Sequence, residues 1–343
     1  MTHAPAAKFK EELSQEGYYD PAKHDDPMLL RFLRARKFDL QKAKVMWIDT
    51  QKWRKEFKVD ELYETFDYTE KAEVDKLYPR FYHKTDKDGR PVYIEQLGKL
   101  DLKELYKHTT PERQIQSLVV EYEKFQRDRL PVCSELAGHL IETSCTIMDL
   151  KGVGISQFWH VKNYVQEASA ISQNNYPETM GKFYIINAPW AFSTAWSVVK
   201  GWLDPVSVSK ISIIGSSYKD ELLKQVPEEN LPSFLGGTCK CPEGCSMSDA
   251  GPWSGRETKR TRSLSLARTV SRGKQGAPAV TSGRSQEPQQ ISTLPAVEEP
   301  TQMEGTAQQV VTDDMTAQQR EVAKEFASLT VTEPNGQVPK QSA

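Results

Sequence analysis

No stretch of this sequence is apolar enough to enter a bilayer as a spanning helix. The longest charge-free run, Phe183 to Val199, is interrupted by Asn187 and Pro189 and falls short of the roughly 20 residues a span needs. The opening MTHAPAAKFKEELSQEG lacks the charged start and apolar stretch of a secretory signal, so a soluble, intracellular chain is expected. A dominant charge is also missing. Lys and Arg number 45 against 47 Asp and Glu, for a net charge of −2, which argues against bulk nucleic-acid binding. Cysteine is scarce: the five present are an odd number and do not suggest a disulfide framework. Cys239, Cys241 and Cys245 form a C-x-C-x3-C cluster. Zinc needs four donors, and no fourth Cys or His lies nearby in the sequence, so free thiols and no metal are expected.

Catalytic signatures are equally scarce. There is no G-x-x-x-x-G-K-[ST], no G-x-S-x-G and no H-E-x-x-H, the patterns that would place a phosphate cradle, a nucleophile or a zinc-bound water. None of the six histidines falls in a recognisable nucleophile or metal spacing. Asp149 stands at the end of a strand-like run, where α/β enzymes often keep catalytic groups, but without a visible partner. An enzyme is not expected.

What is present is an α/β pattern followed by a compositional break. Helical patterns occupy residues 28–57, with Leu29, Leu30, Phe32 and Leu33 on an apolar face, Arg31, Arg34, Arg36 and Lys37 on a basic one, and Asp39 as N-cap of the second helix. Strand-like runs follow at 91–96, 143–149, 183–187 and 208–214, separated by helical patterns at 111–129, 156–173 and 190–203. That alternation implies βαβ units and a largely parallel sheet. The DG turn in KTDKDGRP makes the first pairing an antiparallel hairpin. Beyond Trp253 aromatics all but vanish, with Phe326 alone in 254–343. Such a segment cannot bury enough apolar surface to offset its ordering entropy. The expected organisation is a helical subdomain over 1–62, an α/β domain over 63–253 and a disordered tail over 254–343.

Two features do not suit an ordinary packed sheet. In 143–149, strand alternation puts Ser144, Thr146 and Met148 on one face. In 208–214 it puts Lys210 in mid-strand, which is costly in a packed core and fits an exposed face or a cavity with a polar end. The segment 190–203 is rich in aromatics. Phe192, Trp196, Val199 and Leu203 share one helical face, with Trp190 and Trp202 beside it. The pattern suits a crossover helix on the sheet, or a movable flap that meets a membrane interface.

LLRFLRARKFDLQKAK, FYHKTDKDGRPVYIEQLG, AGHLIETSCTIMDLKG, YPETMGKFYIINAPWAFS and LDPVSVSKISIIGSSY, taken in order, resemble the yeast-type phosphatidylinositol/phosphatidylcholine transfer proteins of the CRAL-TRIO family. The resemblance covers roughly residues 8–253. It implies a helical N-terminal part, an α/β domain enclosing one phospholipid, and a gate helix at Trp190–Leu203. A lid is physically required. Two acyl chains carry about thirty methylenes, and at about 0.8 kcal/mol each their exposure would cost on the order of 20–25 kcal/mol. By position in the matching motifs, Arg36, Glu178, Ser207 and Lys210 correspond to the phosphatidylinositol head-group set. Tyr82, Tyr93, Tyr122, Ser144 and Thr146 correspond to the phosphatidylcholine set. Glu178 and Lys210 are expected to pair. Thr179 and Ser207 depart from the arginine and threonine of the family pattern.

The resemblance further implies a monomeric carrier that meets membrane phospholipids, supports a phosphatidylinositol kinase, and works at Golgi or endosomal membranes. The alternatives are a carrier of another lipid, a sterol or phosphatidylserine, and a membrane-recruited scaffold acting through its tail. The tail segment 254–275 has seven basic residues and one acid, with an arginine three positions before each of Ser263, Ser265 and Ser271. It reads as attracted to anionic lipid and released by phosphorylation, or as an inert linker.

Overall fold

The computed structural model describes residues 3–256 apart from positions 191 and 204, with side chains left aside at 3, 4, 155–163, 194 and 195. The basic segment beyond residue 256 and the rest of the expected tail lie outside the described residues.

The chain opens with five helices: α1 (His3–Gln15), α2 (Asp26–Ala35), α3 (Leu40–Glu56), α4 (Val59–Thr65) and α5 (Lys71–Leu77). Asp39 caps α3 as expected, its carboxylate accepting from the Lys42 N–H at 3.1 Å, and Asp25 does the same for α2. α1 was not anticipated. Its Phe9 and Leu13 are wholly buried against Leu29, Leu33 and Trp47. The expected basic face of α2 is not a free one. Arg31 is buried, and Arg34 forks onto Glu142 at 2.9 and 3.0 Å. Both guanidiniums thus dock the helices onto the loop before the third strand.

The α/β body follows: β1 (Arg80–Thr85), β2 (Pro91–Gln96), α6 (Leu102–Leu105), α7 (Pro111–Lys124), α8 (Leu130–Ala137), β3 (Ser144–Asp149), α9 (Ile155–Asn175), β4 (Met180–Ile186), α10 (Phe192–Val199), α11 (Pro205–Ser209), β5 (Ile211–Ile213) and α12 (Lys219–Gln225). The strands lie side by side in chain order. β1 and β2 form the expected antiparallel hairpin, and β2 to β5 run parallel. Each parallel step moves one place the same way, so right-handed crossovers bring their helices to one face. The loops after β2 and β3 touch. A Cβ on Gly98 would fall 1.7 Å from the Lys151 carbonyl, so only glycine fits there.

Three expectations need correcting. The helix at 111–129 does not stop. Phe125–Arg129 forms a π turn and α8 follows, because Pro131 cannot donate into the regular ladder. The helix expected at 190–203 is shorter: α10 covers 192–199 and a 3-10 turn completes it at 200–202. Lys210 is not in mid-strand. Pro205, pre-set for a first helical turn, starts α11, and the strand begins only at Ile211.

Candidate functional site

The sheet has two unlike faces. Phe81, Val92, Ile94, Cys145, Ile147, Tyr184 and Ile186 point one way, into a continuous core with Leu222, Val226, Leu231 and Leu235. On the other face the register aligns Tyr82 with Tyr93, Tyr93 with Thr146, and Thr146 with Phe183. Ser144 joins this row. Its Oγ lies 3.4 Å from Thr146 Oγ1, as the alternation predicts. The face is polar at the β1 side and apolar toward β5. There Met148, Phe183, Ile185 and Ile211 meet Tyr164 and Val165 of α9 and Phe192 and Trp196 of α10.

At the polar end lies a small chamber of about 100 Å³, lined among others by Tyr82, Tyr93, Ser117, Glu121 and Arg129. The Tyr82 and Tyr93 rings are 5.0 Å apart. Tyr122 stacks on Tyr176 at 4.6 Å and sits in the neighbouring core of α4, α7 and α9.

Sequence reasoning missed the charged groups behind these tyrosines. Arg80 bonds the Tyr164 hydroxyl and donates to Gln114 at 2.6 Å. Tyr78 donates to Glu95, whose carboxyl burial pushes upward against that bond and the Arg80 charge. Arg129 lies 4.3 Å over the Tyr82 ring, with Nε and Nη1 unpartnered among the described residues. Nothing in the sequence marks it; in the structure it ends a π turn, a device common at functional sites. Tyrosine faces attract a quaternary ammonium, while hydroxyls and a buried guanidinium suit a phosphate.

A second polar group lies at the start of β4. Glu178 and Lys210 are ion-paired at 3.5 Å, each about a quarter exposed, as expected. Glu178 adopts a left-handed backbone with φ of 58°, uncommon for a residue with a side chain. Ser207 sits in α11, and its carbonyl accepts from the Lys210 N–H at 3.1 Å. Thr179 is buried and its hydroxyl donates to the Tyr176 carbonyl at 2.9 Å, so it points to backbone and not to solvent. Arg36 lines an adjoining cleft of about 620 Å³ with Thr50, Asn174 and Asn175, the residues that lead into Tyr176–Glu178. The structure therefore joins Glu178 to Lys210 and leaves Arg36 on the neighbouring cleft.

Of the gate residues, Phe192 and Trp196 are half-buried in the apolar end, while Trp190 is 93% exposed. Val199 and Leu203 are half-buried. The Trp202 carbonyl accepts from Gln173 of α9 at 2.9 Å. Asp149, the one carboxylate at a strand's end, ties loops together by accepting from Asn187 at 2.7 Å and the Lys151 N–H at 2.9 Å. No helix of the described residues is long and apolar enough to cross a membrane.

The helical N-terminal part and the sheet with one apolar face and one polar, aromatic face under crossover helices define an α/β domain of one family: the chain belongs to the CRAL-TRIO family. The CRAL/TRIO domain profile matches residues 75–237 and the CRAL/TRIO N-terminal domain profile residues 6–49. The Sec14 cytosolic factor of Schizosaccharomyces pombe is 61% identical over 242 residues, 71% of this chain and 84% of that protein. The SEC14 cytosolic factor of Kluyveromyces lactis is 57% identical over 257 residues, 74% of this chain and 85% of that protein. The phosphatidylinositol/phosphatidylcholine transfer protein SFH12 of Arabidopsis thaliana is 44% identical over 241 residues, 69% of this chain and 44% of that protein. The crystal structure of Sfh5 shares the fold, with a TM-score of 0.58 at 16% identity over 79% of this chain and 99% of that one.

Proposed function

We propose that this chain is a non-enzymatic carrier that exchanges phosphatidylinositol and phosphatidylcholine between membranes. The observation that carries the proposal is the presence of two separate polar sets in the α/β body. Tyr82, Tyr93, Ser144 and Thr146 gather at the deep end with Arg129. Glu178 and Lys210 pair at the start of β4.

The first set suits phosphocholine. The tyrosine faces receive the ammonium, and the hydroxyls, joined by Arg129 and by Tyr122 from α7, receive the phosphate. The second suits phosphoinositol. Lys210 and Arg36 meet the phosphodiester, while Glu178 and Ser207 bond the ring hydroxyls. With Thr179 in place of the family's arginine and its hydroxyl held by the Tyr176 carbonyl, the inositol site here has Lys210 as its near cation, and Arg36 would reach it from the neighbouring cleft.

The chamber is far smaller than a phospholipid, so loading requires α10 to swing outward. Trp190, already exposed, would enter the interface first. Phe192, Trp196, Val199 and Leu203 would then cover the acyl chains. The exchange cycle presents phosphatidylinositol to a lipid kinase at Golgi or endosomal membranes, with the protein itself in the cytoplasm as a monomer.

Transfer of labelled phosphatidylinositol, phosphatidylcholine and phosphatidylserine between vesicles tests the reading. Glu178→Ala with Lys210→Ala is expected to lower phosphatidylinositol transfer more than about tenfold, or about 1.4 kcal/mol, and to spare phosphatidylcholine. Equal loss of both would reject the two-site assignment, and transfer of phosphatidylserine alone would indicate a carrier of another lipid.

A further inference from the structure

On the opposite face of the sheet, the fold supplies the donor that the cysteine cluster lacks in sequence. His83 of β1, 156 residues from Cys239 in the chain, brings its Nε2 to 3.4 Å from the Cys239 Sγ. The Cys239 and Cys241 sulfurs are 3.9 Å apart. All four ligand atoms of His83, Cys239, Cys241 and Cys245 lie within 4.8 Å of one another. We propose that these four residues form a structural zinc site that fastens the segment after α12 onto β1.

The distances carry the proposal. A tetrahedral zinc ion has bonds of about 2.3 Å to sulfur and about 2.0 Å to nitrogen, which space its donors roughly 3.5–3.8 Å apart. The Nε2–Sγ and Sγ–Sγ separations bracket that spacing. They are also far outside the about 2.05 Å of a disulfide. Three thiolates and one imidazole are a donor set of structural zinc sites, in which every position is filled by protein.

The backbone is shaped to bring the donors together. The Cys239 N–H donates to the Leu231 carbonyl at 3.1 Å, and its own carbonyl accepts from Ser233 at 3.0 Å. Gly244, with φ of 87°, turns the chain so that Cys245 returns beside Cys241. The Gly244 N–H donates to the Cys241 carbonyl at 2.9 Å. The Lys84 N–H then donates to the Ala250 carbonyl at 2.6 Å, joining the segment to β1 next to His83.

The surroundings agree. His83 is wholly buried, Cys239 and Cys245 are 9% and 7% exposed, and Cys241 is half-buried. The His83 Nδ1 has no hydrogen-bond partner among the described residues. The Nε2 is the nitrogen that faces the sulfurs, so it is the ring atom placed as a ligand, and the buried Nδ1–H takes no part in the site.

The site has a consequence for the lipid face. Ser246, Met247 and Asp249, which follow Cys245 directly, line the polar chamber, and Asp249 accepts from Arg129 at 3.3 Å. Zinc would hold that wall in place from behind the sheet.

The test is the zinc content of the full chain, expressed without a histidine tag in zinc-supplemented medium and measured by elemental mass spectrometry. About one zinc per chain is expected. The value should fall below about one fifth of that in Cys241→Ser and His83→Ala and be unchanged in Cys133→Ala. Cys241 is the most accessible ligand, so Cys241→Ser folds even if His83→Ala does not. Chelation should lower the thermal midpoint of the wild type and not of Cys241→Ser. Cobalt-substituted protein should show the intense visible bands of a tetrahedral thiolate site. A metal-free wild type with five titratable thiols would overturn the proposal. So would a Cys239–Cys241 disulfide, or zinc retained in Cys241→Ser.

Discussion

Thr146 and Ile147 are neighbours on β3, yet they serve opposite sides of the sheet. Ile147 is wholly buried in a core among Val92, Ile94, Tyr184 and Ile186. Thr146 faces tyrosines across a register row and keeps a hydroxyl beside that of Ser144. A parallel sheet covered on both sides ordinarily has apolar residues throughout. Here the outer face follows that rule and the inner face breaks it at its polar end. The lesson is that one face holds the fold and the other is the proposed lipid face, so substitutions one residue apart should fail in different ways.

The largest expected effect is on the outer face. Ile147→Ala should cost about 2–5 kcal/mol of stability through lost burial and the cavity left behind, read as a lower urea midpoint. Relative transfer of the two lipids should be unchanged in the protein that remains folded. A change in lipid preference without loss of stability would break the division between the faces. On the inner face, Ser144→Ile with Thr146→Ile should abolish phosphatidylcholine transfer, by more than about tenfold or 1.4 kcal/mol, with phosphatidylinositol transfer kept. The added methyl groups are expected to cost no more than about 1–3 kcal/mol. Parallel loss of both activities would mean that the row is packing and not a site.

The seam between the N-terminal helices and the body should respond to acid. Glu123 is buried and bonded by Arg54 at 2.7 Å and by the Tyr176 hydroxyl at 2.8 Å. Burial raises its carboxyl, but the Arg54 and Arg127 guanidiniums outweigh this and the net direction is down. A depressed carboxyl contributes stability above the unfolded value of about 4.3 and loses it as pH falls below that value. Stability measured by urea should therefore be flat from pH 7 to about 5 and decline below, and Arg54→Leu should be destabilised already at pH 7, since it removes one of the two guanidiniums that hold a buried carboxylate and leaves Arg127, at 2.7 Å, as its one cation among the described residues. An unchanged midpoint in that variant would show the seam to be dispensable. The smallest effect belongs to Trp190→Ala. With Trp190 almost fully exposed, folding stability should change by less than about 0.5 kcal/mol, while vesicle sedimentation should show binding weakened a few-fold. Unaltered vesicle binding would remove Trp190 from the membrane-contacting surface.

Much of this was legible in the sequence because it is local. The DG turn gave the hairpin, Asp39 the cap of α3, and strict alternation the shared face of Ser144 and Thr146. The pairing of Glu178 with Lys210 came from the resemblance and not from periodicity. The strand placement of Lys210 failed because β-branched and serine residues in VSVS read as extended, while Pro205 in fact starts a helical turn. Arg80, Glu95 and Arg129 were missed because a buried charge is visible only with its partner, and most of theirs are distant in the chain: Tyr164 for Arg80, Tyr78 for Glu95, and Asp249 beside the nearer Glu121 for Arg129. His83 was overlooked for the same reason. Its neighbours lie more than 150 positions away, and no spacing rule reaches that far.

The central claim is that the inner face carries a phospholipid of either kind, one at a time. Purified full chain incubated with mixed vesicles, re-isolated and extracted for lipid mass spectrometry, tests it most directly. Phosphatidylinositol and phosphatidylcholine together at about one lipid per chain are expected, as one enclosed site requires. Recovery of a different lipid, or of none, would contradict it.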